Sequence, residues 1–190
     1  DNAGNITWGH EYILNADSEG PPNIRGVAIT PTGYAITGYN TDVTVGRNIT
    51  FTTNNTCVIS WAFKYLNTGS GLIGLPGFSI ASDASGKLVI ATLQLDNSTE
   101  SDAAVIKLNA AGTLVFAKSF DGSNGLRDIK VTNTNTYCAT GRAQPGPNQN
   151  IFVTNISSAG NNQAGCQPAA LTMTTIATFA KTTQTPSYNA

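Results

Sequence analysis

The sequence predicts an all-β fold of stacked four-stranded antiparallel sheets, an architecture like that of a β-propeller. Three observations support it: the composition, a recurring pair of aromatic residues, and strands that are apolar on both faces. Charged residues make up only 11% of the 190 residues, against about a quarter in an average protein. Threonine and asparagine are abundant instead, and they suit strands and turns better than helices.

The clearest hairpin lies between Asp102 and Phe120. An apolar run ends at Leu108, the turn Asn109–Gly112 follows, and a second apolar run begins at Leu114. Glycine stands where a tight turn requires a residue with positive φ. The pattern therefore predicts two antiparallel strands joined by a short turn.

A pair of aromatic residues four positions apart occurs three times. The first aromatic follows a glycine by four residues, except in the second copy, where Cys57 takes the glycine position. The first aromatics of successive copies are separated by 53 and 55 residues. Because positions four apart share a strand face, each pair is predicted to pack into one layer of the core. The pairs are Trp8 and Tyr12, Trp61 and Tyr65, and Phe116 and Phe120.

A hairpin and a further strand complete each copy. We align the hairpins on Val27, Phe78 and Ile129, which are spaced by 51 residues each. The predicted β-propeller region is 1–165, with 166–190 as a C-terminal strand and tail. Its units are 4–55, 56–108 and 109–160.

Several predicted strands are apolar on both faces, as at Leu88–Ala91 and Val105–Ile106. A strand with one wet face would alternate instead, so we expect each sheet to have neighbours on both sides, as in a propeller. Propellers contain about four to eight blades, and three units are recognisable here. We therefore expect the chain to be part of a larger propeller, or the strand near Leu171–Ile176 to return to the first sheet.

The sequence resembles repeats of bacterial β-propellers from large secreted surface proteins, which often carry a C-terminal sorting domain. The resemblance covers residues 1–160 and implies a scaffold or recognition surface, with no catalytic residue set attached to it. The matching segments are D-x-x-V-x-K-L-N-x-x-G at Asp102–Gly112, Gly4–Trp8, and Gly-Tyr-x-x-Thr-Gly at Gly33–Gly38. The departures are a missing aromatic near Ala164, Thr92 in a glycine position, and an insert at Asn67–Gly77.

Candidate catalytic residues are few, so we predict that the protein is not an enzyme. His10 is the only histidine, and no serine, cysteine or acid stands at a spacing typical of a nucleophilic triad. Carboxylates that could pair for glycoside hydrolysis are more simply explained as solvated loop residues. They are Asp17 with Glu19, and Asp96 with Glu100 and Asp102.

The sequence predicts no cofactor, with calcium as the one candidate. Asp121 and Ser123 lie in the glycine turn Asp121–Gly125 and offer oxygen ligands, but Thr132 stands where a calcium loop has its glutamate. A plain turn is favoured. The three cysteines, Cys57, Cys138 and Cys166, allow at most one intrachain disulfide and match no zinc pattern.

Net charge and hydropathy limit the classes of partner that we expect for this chain. The net charge is −1 and no basic stripe is present, which argues against nucleic acid. No apolar run reaches the length of about 20 residues that spans a bilayer. Low charge with high Thr and Asn content fits a secreted or cell-surface protein whose partner is another protein or the rest of a longer chain.

Three functions remain open at the level of sequence. The first is a non-catalytic scaffold that acts through protein–protein or adhesive contacts. The second is a glycan-binding module or a polysaccharide-acting enzyme, in which Tyr39 and Tyr188 from predicted loops stack on sugars. The third is a subunit of an extracellular fibre whose incomplete sheets pair between chains. The loops considered for a glycan site are Asn15–Asn23, Asn40–Arg47, Asn67–Gly77 and Gln144–Asn150.

Overall fold

The prediction of an all-β protein is confirmed. The structure is a computed structural model, and its described residues form sixteen strands with connecting turns and no helix. No helix in this part of the chain is long and apolar enough to cross a membrane. The described residues are 11–15, 22–40, 47–67, 72–74, 76–96, 101–120, 123–132, 136–143, 150–161, 169–170, 173–178 and 180–184.

The strands follow the predicted hairpins closely. Their bounds are β1 Glu11–Asn15, β2 Pro22–Thr30, β3 Gly33–Asn40, β4 Arg47–Asn54, β5 Ile59–Asn67, β6 Leu72–Gly74, β7 Gly77–Ser82, β8 Leu88–Asp96, β9 Ser101–Leu108, β10 Leu114–Phe120, β11 Ser123–Val131, β12 Tyr137–Ala143, β13 Asn150–Ile156, β14 Ala169–Ala170, β15 Met173–Thr178 and β16 Ala180–Gln184.

Antiparallel pairing groups most of these strands into three larger sheets. The first sheet has the order β2-β3-β4-β5-β15, the second β14-β10-β9-β8 with β7 and β6 both paired to β8, and the third β11-β12-β13. A separate pair joins β1 to β16. Each aromatic strand, β5 or β10, pairs with the last strand of the preceding predicted unit, so hydrogen bonding connects segments that the sequence analysis assigned to neighbouring units.

The alignment of the hairpins on Phe78 is wrong by two residues. Val27, Ile80 and Ile129 pair with Ile36, Ile90 and Ala139. Each of these partners stands two residues before the glycine position of its strand, which is Gly38, Thr92 or Gly141. The residue of the second sheet that corresponds to Val27 and Ile129 is therefore Ile80. The insert before β7 also contains the short strand β6, which pairs with β8.

The second sheet lies between the other two, so both of its faces are buried. β2 and β3 pack against β7 on one side, while β11 packs against β7, β8 and β9 on the other. Val89, Ala91 and Val105 belong to the core shared with the third sheet, whereas Ile90 and Ile106 belong to the core shared with the first. These side chains are at most 1% exposed, which confirms the predicted burial on both faces.

Turns of one design close several hairpins. The predicted turn Asn109–Gly112 has Gly112 at φ 83°, and a backbone hydrogen bond of 3.0 Å joins its amide to the Asn109 carbonyl. Cys57 holds the equivalent position with φ 60°, the one positive φ among the described non-glycine residues. The sequence comparison that placed Cys57 in a glycine position therefore identified a real backbone conformation.

The C-terminal strands lie along the outer strands of the fold. β15 pairs with β5, β14 with β10 and β16 with β1, each antiparallel. β15 overlaps the segment predicted as one more strand and extends the first sheet at its outer edge. The described sheets are open and form no closed ring.

Candidate functional site: an arginine–aromatic cluster

The first strand of each of the three hairpins, β2, β7 or β11, carries a β-bulge at the same position. In the first sheet, Ile24 pairs with Gly38 and Gly26 pairs with the next residue along β3, Thr37. Arg25 therefore has no pairing partner on β3 and is the extra residue of the bulge. The same shift makes Phe78 the extra residue of β7 and Arg127 that of β11. A bulge turns a side chain away from the regular ladder, so these three residues occupy equivalent positions in the three sheets.

Close backbone approach accompanies the bulges in the first and third sheets. A Cβ at Gly38 would lie 2.0 Å from the Asn23 carbonyl oxygen, and one at Gly141 would lie 2.2 Å from that of Gly125. Only glycine fits such contacts. The following residues, Tyr39 and Arg142, are therefore delivered beside the bulges by the neighbouring strands β3 and β12.

Contacts between adjacent sheets hold the three bulges side by side. Gly26, which follows Arg25, lies so close to β7 that a Cβ there would be 3.0 Å from the Ser79 Cα. Ser79 follows Phe78, and its hydroxyl donates a 2.6 Å hydrogen bond to the Asp128 carboxylate. Since Asp128 follows Arg127, each bulge is tied through the next residue to the bulge of the neighbouring sheet.

Four side chains contact one another at this place, and the charge of a fifth, Arg142 on β12, acts on Arg127. We call the five the arginine–aromatic cluster: Arg25, Tyr39, Phe78, Arg127 and Arg142. Arg25 Nη2 donates to the Tyr39 hydroxyl at 3.0 Å, and its guanidinium carbon lies 5.5 Å from the centre of that ring. The Tyr39 and Phe78 ring centres are 6.2 Å apart. The Arg127 guanidinium carbon lies 4.5 Å from the centre of the Phe78 ring, within the range of a cation–π contact.

Positive charge accumulates in the cluster. Burial lowers the pKa of Arg127, and the charges of Arg142 and Arg25 lower it further. The guanidinium stays protonated at neutral pH because the ordinary pKa of arginine lies far above neutrality. Among the described residues, no carboxylate forms a salt bridge with these three arginines.

The nearby carboxylate of Asp128 has other partners. Burial raises its pKa, but hydrogen bonds from Ser79 and Lys130 and the charge of Lys130 outweigh that effect and lower it below the usual value. Its ion pair with Lys130 has an N–O distance of 3.1 Å. The cluster thus combines three exposed guanidinium groups, two of which lie over half-buried rings, a chemistry suited to binding an anion and not to moving protons.

Tyr39 does not lie in a loop, contrary to the prediction, but near the end of β3, and its hydroxyl and ring are engaged by Arg25. The connections 16–21, 41–46 and 144–149, which border Arg25, Tyr39 and Arg142 in the chain, are outside the described residues, as are Tyr188 and Asp121. Ser123 is the first residue of β11, and only its backbone is described. The described part of the chain contains no group of three His, Cys, Asp or Glu side chains that could hold a metal ion.

The predicted aromatic core residues line the boundaries between sheets. Tyr65 and Phe120 are buried at 0% and 2% exposure, while Trp61 and Phe116 pack as half-buried residues against the same cores as their partners. Trp8 lies outside the described residues.

Hydrogen bonds from the aromatic residues join successive units. Trp61 donates through Nε1 to the Ala110 carbonyl at 2.8 Å, and Tyr65 donates to that of Gly112 at 2.5 Å. Tyr12 makes the same kind of bond as Tyr65, because its hydroxyl donates to the carbonyl of Cys57 at 2.9 Å. These aromatics therefore hold the turn of the next unit.

Other candidates from the sequence contribute no described catalytic arrangement. His10, Asp17 and Glu19 lie outside the described residues. Of the other candidate group, Asp96, Glu100 and Asp102, only Asp102 has a described side chain. Cys57 is a buried free thiol and Cys138 an exposed one. Cys166 lies outside the described residues.

Four members of the cluster were missed from sequence, although a signal for three of them is present. Arg142 follows Tyr-x-x-Thr-Gly just as Tyr39 does in the first copy. Arg25 and Arg127 each follow an aliphatic residue directly, and another aliphatic residue comes two positions after each arginine. The alignment of Val27 with Ile129 already places Arg25 and Arg127 at equivalent positions, two residues earlier in each copy.

Comparisons with models of known protein families and with curated proteins find no match for this chain. The resemblance to secreted β-propeller repeats remains a prediction that depends on the residues quoted for it.

Proposed function

We propose that this chain is a non-catalytic scaffold of a secreted or cell-surface protein and acts through protein–protein or adhesive contacts. In this proposal the three sheets are blades of a β-propeller, within a longer chain or completed by the C-terminal strands. The observation that carries it is the second sheet, buried on both faces by equivalent neighbours. A stack of this kind provides a rigid platform, because each sheet is fixed by packing on both sides.

Exposed apolar side chains at both ends of the stack support contacts with partners. Val27 and Ile29 of β2 are 66% and 80% exposed, and Ile151 and Val153 of β13 are 83% and 61% exposed. Tyr12, Val27, Tyr34 and Ile36 also line a shallow hollow that is mainly apolar. Contiguous apolar surface of this kind is typical of interaction sites.

An activity screen tests the absence of catalysis. We expect no turnover when the purified chain is incubated with glycoside, ester and peptide substrates. A hydrolase activity that disappears in Asp102→Asn, while the variant keeps the unfolding midpoint of the parent, would overturn the scaffold proposal.

The arginine–aromatic cluster favours glycan binding as a second function. Aromatic rings next to guanidinium groups offer both stacking surface and hydrogen-bond donors, and the cluster lies at the strand ends that border three connections, all of them within loops considered for a glycan site. A glycan array tests this function directly: we expect binding to a subset of polysaccharides, and silence across the array would contradict it.

A further inference from the structure

We propose that the arginine–aromatic cluster is a site for the carboxylate groups of an acidic polysaccharide, that is, a chain of uronate sugars. This inference rests on the glycan-binding function proposed above and names its ligand class. It assigns Arg127 and Arg142 to the carboxylate, and Tyr39 and Phe78 to the sugar ring beside it.

The guanidinium groups are already positioned for an oxyanion. Arg25 is fixed by its hydrogen bond to the Tyr39 hydroxyl, and Arg127 by stacking on the Phe78 ring. A planar guanidinium presents paired N–H donors that match the two oxygens of a carboxylate. Since side chains that are ordered before binding lose less conformational entropy on binding, this arrangement favours affinity.

Charge also favours an anion at this position. Three of the four arginines in the chain converge where the described residues supply no carboxylate in salt-bridge contact with them. The nearest described acid, Asp128, is engaged by Ser79 and Lys130. A bound carboxylate would relieve the mutual repulsion of Arg25, Arg127 and Arg142, which a neutral ligand cannot do.

The rings point to a sugar as the carrier of the carboxylate. Tyr39 and Phe78 are half-buried, their ring centres lie 6.2 Å apart with the planes inclined at 55°, and each ring adjoins one of the cations. A uronate sugar places an apolar C–H face next to a carboxylate within one residue of the polymer. Both requirements of the cluster, an apolar contact beside the rings and an oxyanion, are met by one repeating unit.

Calorimetric titration of the full chain with a tetragalacturonate tests the inference. We expect saturable binding that weakens as sodium chloride is raised from 0.05 to 0.5 M, because ion pairs near the surface are screened by salt. Arg127→Gln and Arg142→Gln should each weaken binding by about tenfold or more, since each removes charge-assisted hydrogen bonds. The methyl-esterified tetrasaccharide, which has the same ring and no charge, should bind at least about tenfold more weakly.

Lys87→Gln is the matched control. Lys87 is an exposed cation in the turn between β7 and β8, at the opposite end of β7 from Phe78. Its loss changes the net charge by the same amount as the arginine variants, and we expect an affinity within about twofold of the parent. Because the three substituted side chains are exposed, the variants should keep the parent's unfolding midpoint in urea.

The outcomes separate this inference from the function it depends on. Equal binding of the charged and esterified sugars, or affinities unchanged in both arginine variants, would overturn the uronate site while glycan binding stands. A hexaglutamate peptide that binds as tightly as the tetrasaccharide would overturn the assignment to a sugar. No binding to any acidic or neutral saccharide would overturn both proposals.

Discussion

At the scale of single residues, short polar side chains stabilise the turns from within. The Asp83 carboxylate accepts from the amides of Ser85 and Lys87 at 2.9 and 3.0 Å. The Asn109 side-chain oxygen accepts hydrogen bonds from the backbone amides of Ala111 and Thr113, both at 2.9 Å. An oxygen of this kind satisfies backbone donors that the turn would leave unpaired.

Asp83 makes this stabilisation depend on pH. Burial raises its pKa, but the hydrogen bonds from Ser85 and Lys87 outweigh it, so that the pKa is lower in the folded state than in the unfolded chain. The carboxylate therefore contributes stability above about pH 4, and this contribution is lost as the pH falls through the folded-state pKa. We expect Asp83→Asn to reduce the loss of unfolding free energy between pH 5 and pH 2, measured by urea denaturation.

The reciprocal variant is the control for this prediction. Asn109→Asp introduces a carboxylate into the equivalent turn and should increase the loss of stability in acid. At pH 7 both variants should stay within about 1 kcal/mol of the parent, because an amide and a carboxylate oxygen accept the same backbone donors. Identical acid profiles for all three proteins would contradict the role given to Asp83.

Two tyrosine hydroxyls act between units. Burial raises the pKa of Tyr65 well above its usual value. Burial, followed by the charge of Cys57, raises the pKa of Tyr12 to about 12. Both hydroxyls therefore remain protonated and act as donors to the carbonyls of Gly112 and Cys57 across the physiological range.

Removing the Tyr65 hydroxyl should weaken the contact between the first and second sheets. We expect Tyr65→Phe to cost about 1–2 kcal/mol of unfolding free energy, because the Gly112 carbonyl would be left without its donor. Tyr12→Phe should cost less, since Tyr12 is only half-buried. A Tyr65→Phe variant as stable as the parent in urea would show that the hydroxyl contributes no net stability.

At the scale of elements, the bulges determine what the first strands present. Gly38 and Gly141 face the bulges at van der Waals distance, whereas Thr92 holds the same place in the second sheet and donates its hydroxyl to the Pro76 carbonyl at 2.7 Å. The predicted loss of a glycine at Thr92 therefore corresponds to a different local solution and not to a missing strand.

This difference predicts that substitutions at the equivalent positions 141 and 92 lower the unfolding free energy by different amounts. Gly141→Ala places a methyl group 2.2 Å from the Gly125 carbonyl oxygen, and the strands must separate to admit it. We expect a loss of about 1–3 kcal/mol in unfolding free energy, together with weaker uronate binding because Arg142 is displaced. Thr92→Ser, which keeps the hydroxyl, should cost less than about 1 kcal/mol, and equal losses would contradict the account.

Sequence reasoning located strands better than side-chain directions. Hairpins such as that at Asp102–Phe120 follow from apolar runs and turn residues, which are local signals. A bulge inserts one residue without any fixed residue type, so the alignment on Phe78 was wrong, and the shared bulge position of Arg25, Phe78 and Arg127 was missed. Tyr39 was selected for its ring, but its position in a strand depends on pairing that the local sequence does not reveal.

At the scale of the whole molecule, the fold depends on burial of both faces of the central sheet. Alternating side chains of β9 enter different cores: Val105 packs toward the third sheet and Ile106 toward the first, and both are fully buried. The doubly apolar sequence of such strands predicted neighbours on both sides. The number and closure of the sheets were not predictable in this way, because they depend on contacts between distant segments.

The most direct test is the free energy of unfolding of two neighbouring variants, Val105→Ala and Ile106→Ala, with Ile29→Ala as the control. The structure predicts losses of at least about 1.5 kcal/mol for both, because each leaves a cavity in a separate core. The control should stay within about 0.5 kcal/mol, since Ile29 is 80% exposed. If Val105→Ala or Ile106→Ala behaved like the control, one face of β9 would be open to water and the stacked arrangement would be wrong.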